Sequence, residues 1–234
     1  VNNRLSQLLG IDIPIVLAPF GGLSSVELTA TVSRLGGLGS YGLYGYEPDR
    51  IRETVAAIRA ETDRPFALNL WLPTGDEVRP DDGIDEAAIA AVRPLFDELG
   101  IDVPPRPARF LPDPREQLDA AVAARPAAIS VVYGVPEPWL VDRARAAGIR
   151  LIGTATTVEE AVVLEAGGGD AIVAPRLEAA RPPGSLLPPA GRALVGPGAP
   201  GPPGGGAGGG PGVAARGGAP PRGGAPPPAP PRPG

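Results

Sequence analysis

The sequence predicts an α/β fold built on a parallel sheet, and three features predict it. Short apolar runs alternate with helical patterns as far as residue 174. The runs are apolar throughout, as in strands buried on both faces. Gly, Pro or capping residues punctuate nearly every junction, which sets the boundaries of the elements.

The first expected strand is Ile13–Phe20 (IPIVLAPF), stopped by Gly21 and Gly22. Ser24 or Ser25 can cap a helix over Val26–Leu35, with Glu27 favourable in its first turn. Gly36 and Gly37 end that helix, and Leu38–Leu43 is a Gly-rich second strand. Pro48 and Asp49 open a helix through Arg59 that places Ile51, Val55 and Ile58 on one face. Pro65–Leu72 is the third strand, closed by Pro73.

Residues 74–85 read as an acidic loop, Glu86–Leu99 as a helix, and the Pro-rich residues 102–114 as a surface excursion. A helix over Arg115–Ala124 leads to a fourth strand, Ala127–Tyr133. Pro138–Ala147 is helical and ends at Gly148, before a fifth strand at Ile149–Gly153. Thr157 with Glu160 three residues on forms a capping box for a helix through Ala166, and Asp170–Ala174 is the sixth strand. Both a closed barrel and an open doubly wound sheet accommodate this order. Gly21-Gly22 lacks the G-x-G-x-x-G spacing of a dinucleotide site, which weighs against the open sheet.

Composition divides the chain in two. About half of its Gly and Pro fall in residues 181–234, together with five Arg and no Asp or Glu. The net charge of −5 is therefore −10 before residue 181, which argues against nucleic acid as a partner of the body. Too few apolar residues remain in the tail to offset its ordering entropy, so disorder is expected there. The expected division is a barrel-type body over residues 1–178 and a low-complexity Gly/Pro/Ala/Arg tail over 179–234. Two RGG triplets in the tail, at Arg216 and Arg222, lack interleaved aromatics and are a weak signal for RNA.

With no Cys and no His, thiolate chemistry, disulfides and the commonest general base are excluded, and no metal site is expected. No run is long and apolar enough for a membrane helix, and no basic segment leads an apolar stretch at the start. A soluble cytoplasmic protein is the expectation.

Several segments, in order, resemble the nitronate monooxygenases (formerly 2-nitropropane dioxygenases). They are RLSQLLGIDIPIVLAPFGG, VSRLGGLGSYG, ALNLW, VVYGVP, GTATTVEEA and GGGDAIVA, covering roughly residues 3–174. The resemblance implies a TIM-type (β/α)8 barrel, here incomplete with about six βα units, and FMN as cofactor. It implies oxidation of a small-molecule alkyl nitronate by dioxygen to a carbonyl compound and nitrite. It also implies flavin contacts from Ala18, Pro19, Phe20, Gly21 and Asn69. Asn69 is polar inside an apolar strand, so it either meets the flavin or is a core amide bonded to neighbouring backbone. Tyr133 ends a strand and is a candidate for a substrate pocket or a half-buried packing residue, and Thr154 and Thr156, which follow the fifth strand, are further pocket candidates. Trp71 reads as packing, and Glu178 as a solvated loop residue that keeps family register.

The chain departs from the family after the sixth strand. Where relatives carry a flavin-contacting Gln it has Pro175, and where they carry the His expected as catalytic base it has Pro182. Pro offers no N–H and no titratable group, so no catalytic residue is assigned. The Gly-rich phosphate loops have no recognisable counterpart. An inactive chain is expected on these grounds. The alternatives are another FMN barrel of the enoyl reductase type, or a non-catalytic fragment without flavin.

Overall fold

The structure, a computed structural model, describes residues 3–75, 77, 79, 80, 86–105, 107–175 and the backbone of 212–215. Helix α1 (Arg4–Leu9) precedes the sheet, a short helix that no periodicity foretells. Asn3 caps it by accepting from the Ser6 N–H, and Gly10 closes it at φ 67°, where a Cβ would be strained.

There follow α2 (Val26–Arg34), β1 (Gly39–Gly42), α3 (Pro48–Glu61), β2 (Phe66–Trp71), α4 (Glu86–Leu99) and α5 (Pro114–Ala123). The order continues with β3 (Ala128–Val132), α6 (Pro138–Ala146), β4 (Arg150–Thr154), α7 (Val158–Ala166) and β5 (Ala171–Ala174). These five strands lie in sequence order and pair in parallel. Strand β6 (Gly212–Ala215) pairs antiparallel with β5, so these four residues of the expected disordered tail lie in the sheet. The rest of the tail, the 178/179 boundary, both RGG triplets, Glu178 and Pro182 lie outside the described residues.

Alternation divides the sheet into two faces. Phe66, Leu68 and Leu70 of β2, with Tyr41, Ile129, Val131 and Leu151, pack beneath the helices in one core. Ile51, Val55 and Ile58 of α3 join it, buried as the spacing predicts. Each such burial is worth roughly 1.5–3 kcal/mol. Leu38, Ala67, Ala128, Ile152 and Ala171 face the other way, where Leu9 and Ile11 cover them. The polar inner residues Asn69, Ser130 and Thr154 lie further along their strands, toward the C-terminal rim.

The expected first strand is corrected. Of Ile13–Phe20 only Val16 forms a ladder bridge, to Leu38, and Ile13 (43%), Ile15 (60%) and Phe20 (53%) are exposed. Pro14 and Pro19 remove two N–H donors from this run, and the register ends around them. The Leu17 N–H still donates to Leu38 O at 2.9 Å, so the segment follows β1 without becoming a strand.

Candidate functional site

The rim is organised around Gly42, the last residue of β1. Its register partner in β2 is Asn69. A Cβ on Gly42 would lie 2.9 Å from Phe20 O and 3.0 Å from Phe20 C, so only glycine admits the 20–21 turn this close. Ser24 fixes that turn: its Oγ accepts from Phe20 N–H at 3.1 Å and Gly42 N–H at 3.0 Å, and donates to Phe20 O at 2.8 Å. Ser25 is left to cap α2, accepting from Leu28 N–H. The two serines that the sequence offers as alternative caps thus have separate tasks.

Asn69 is buried, at 4% exposure. Its Nδ2 donates to Ser130 O at 3.1 Å and to Ser130 Oγ at 2.8 Å. A carbonyl only accepts, so the amide nitrogen must face β3 and Oδ1 must turn away from it. Among the described residues Oδ1 accepts no hydrogen bond, and none of their buried side-chain N or O atoms lacks a partner. Oδ1 is therefore open to the space above the sheet. Ser130 Oγ accepts from Asn69, and its hydroxyl hydrogen is not donated to any described residue. The pair offers one acceptor and one donor side by side.

The structure brings Phe20, Gly21 and Asn69 to one rim, with Ala18 and Pro19 leading in along the exposed side of β1. Thr154 ends β4 half-buried on the inner face, level with Val173 of β5. Thr156 is different: it is buried, and its N–H and Oγ donate to Glu160 Oε2 at 2.6 and 2.8 Å. It braces the rim through Glu160. Glu160 reaches one residue further back than the capping box foretells, while Thr157 caps α7 by accepting from Glu160 N–H.

Tyr133 follows β3 with φ 67°, one of two non-glycine residues among those described in the left-handed region. Such a conformation costs of order 1–3 kcal/mol and persists where surrounding structure imposes it. Its ring meets Trp71 edge-on at 5.0 Å, and Trp71 in turn meets Tyr44 at 4.1 Å. Trp71 is therefore part of an exposed aromatic wall on the rim, beyond the packing role read for it. Sequence reasoning missed Ser130, Gly42 and Ser24. A signal for Ser130 exists in its phase, two residues from Ala128 and two from Val132.

Among the described residues no cluster of His, Cys, Asp and Glu could hold a metal ion, and no helix is long and apolar enough to cross a membrane.

Comparison with known proteins places the chain in a family. A sequence profile described as nitronate monooxygenase matches residues 2–180. A nitronate monooxygenase of Pseudomonas aeruginosa is 38% identical over 200 residues, covering 84% of this chain and 56% of the relative. Nitroalkane oxidase from Streptomyces ansochromogenes superposes with a TM-score of 0.64 at 29% identity, over 79% of this chain and 52% of that one. FabK from Thermotoga maritima, at 21% identity and a TM-score of 0.55, shares the fold over 76% of this chain and 45% of its own. The chain thus spans about half the length of the proteins it matches. With its profile and its relatives in agreement, the chain belongs to the nitronate monooxygenase family.

Proposed function

We propose that the inner rim holds the isoalloxazine ring of FMN and serves the oxidation of an alkyl nitronate by dioxygen to a carbonyl compound and nitrite. On this reading the sheet is the first part of a (β/α)8 barrel, whose functional loops gather at the C-terminal strand ends. The observation that carries it is the pairing of Asn69 with Ser130, which leaves Oδ1 as an acceptor beside the close-packed 20–21 turn.

The residues present fit a flavin ring, whose edge carries N–H and C=O groups. Asn69 Oδ1 can accept from such an N–H, and Ser130 Oγ can donate to such a carbonyl. Gly21 presents backbone without a side chain, and Ala18 presents only a methyl group. Leu9 and Ile11 close the lower part of the inner face, so a planar group is held at the rim. FMN, when bound, supplies the electron acceptor that the substrate carbon reduces and dioxygen reoxidises. The chain's own part is binding and orientation.

A second reading is favoured by one observation in the sequence: Pro182 stands in register with the family's base. A missing base costs about 10²–10⁴ in rate. On that reading the chain binds flavin without useful turnover.

The test is to incubate the purified chain with FMN, desalt it, and record the visible flavin spectrum. Nitrite release from a nitronate in air is then measured. Retained flavin with nitrite release supports the oxidase; retained flavin alone supports the second reading; a colourless chain refutes both.

A further inference from the structure

At the C-terminal ends of β1, β2 and β3, beside the start of α5, lies a cavity of about 240 Å³. Its floor is formed by Leu43, Leu70 and Leu72, all buried, and its wall by Tyr44, Trp71 and Tyr133. None of Phe20, Gly42, Asn69, Ser130 and Thr154 lines it, so it is apart from the proposed flavin contacts, although Tyr133, a candidate substrate-pocket residue, does line it.

Two of its polar side chains, Gln117 and Glu77, are engaged within the protein, and Tyr44, Trp71 and Tyr133 line it with rings that carry an O–H or N–H. Gln117 Nε2 donates to Tyr46 O at 2.7 Å. Glu77 accepts from Thr74 N–H at 2.5 Å and from Gly75 N–H at 3.1 Å. A ligand would meet chiefly hydrocarbon and aromatic surface. The volume also selects. An apolar cavity of about 150 Å³ takes benzene, and drug-sized ligands need about 300 Å³ or more.

Charge selects further. Glu77 is exposed, and the backbone N–H of Thr74 foremost holds its carboxyl below the usual range. It stays ionised at neutral pH and disfavours an anion, a nitronate included. The left-handed backbone of Tyr133 holds its ring against Trp71. The wall is thereby preorganised rather than assembled by the ligand.

We propose that this cavity is a second binding site, for an uncharged hydrocarbon group about the size of one six-membered ring. It stands whether or not the rim takes flavin.

The chain has two tryptophans, and Trp139 lies outside the cavity, so a Trp139→Phe background makes Trp71 the sole reporter. Toluene and benzoate are titrated against its fluorescence, with no flavin added. The expected result is a saturable response to toluene and at least tenfold weaker binding of benzoate. Leu111→Phe, which fills the cavity from its half-buried side, should weaken toluene binding at least tenfold. Pro73→Phe at the exposed edge should do the same, and serves if the first variant does not fold. No saturable response to toluene, benzoate binding as tight as toluene, or toluene binding unaltered in a folded filling variant would each overturn the proposal.

Discussion

Asn69 and Ser130, 61 residues apart in sequence, are joined across β2 and β3 by two hydrogen bonds from one amide nitrogen, at 2.8 and 3.1 Å. This contact fixes which end of the amide faces the open rim. It turns a buried polar residue, costly if unpaired, into an oriented acceptor.

Substitutions at the pair separate binding from stability. Asn69→Leu removes both bonds and should destabilise the fold by about 1–2 kcal/mol in a urea titration. Ser130→Ala leaves the bond to its own carbonyl and should cost less than about 1 kcal/mol. Equal losses from the two would mean that the bond to the carbonyl carries no orientation.

The 20–21 turn depends on Ser24 and on the missing side chain of Gly42. Gly42→Ala pushes a methyl into the Phe20 carbonyl and should cost about 1–3 kcal/mol by overpacking. Ser24→Ala should cost about 1 kcal/mol and speed amide exchange at Phe20 and Gly42, whose N–H groups it accepts from. Unchanged exchange at both amides would show that the clip is not what holds the turn.

Glu160 is wholly buried and accepts from both donors of Thr156. Glu160→Ala leaves those donors without a partner and should destabilise by about 1–3 kcal/mol or more. Glu160→Gln retains an acceptor and should lose less. Chemical denaturation of the two variants side by side checks the order.

Tyr41 supplies a pH test. Burial foremost, then its hydrogen bond to Tyr46 at 3.2 Å, pushes the phenol up to about 12, against the lowering effect of Arg50. The folded state therefore favours the protonated form. Its contribution is complete below about pH 10 and is lost as pH rises toward 12, where the unfolded chain ionises first. The loss should be roughly 2 kcal/mol, and Tyr41→Phe should remove that part of the alkaline slope.

Strands β2 to β5 were legible because continuous apolar runs bounded by Gly and Pro admit few other readings at that length. Ile13–Phe20 passes the same test and fails in the structure. Its two prolines limit its ladder, and exposed Ile15 shows that apolar composition alone does not bury a residue. Helix α1 is six residues long, too short for a periodic signal. Asn69 stood out as the polar residue in its strand. Ser130 did not, because a small hydroxyl is unremarkable in an Ala- and Val-rich strand until register sets it opposite an amide. The backbone of Tyr133 and the reach of Glu160 to Thr156 are tertiary outcomes with no local code.

The central claim is that Phe20 and Asn69 frame a flavin ring at a shared rim. Flavin fluorescence, titrated with the chain using riboflavin and FMN in parallel, tests it most directly. Saturable quenching of both is expected, with FMN no more than a few-fold tighter because no Gly-rich phosphate loop is recognisable in the sequence, and with quenching lost in Asn69→Leu. Absence of saturable quenching with either flavin, or quenching that survives Asn69→Leu unchanged, would contradict it.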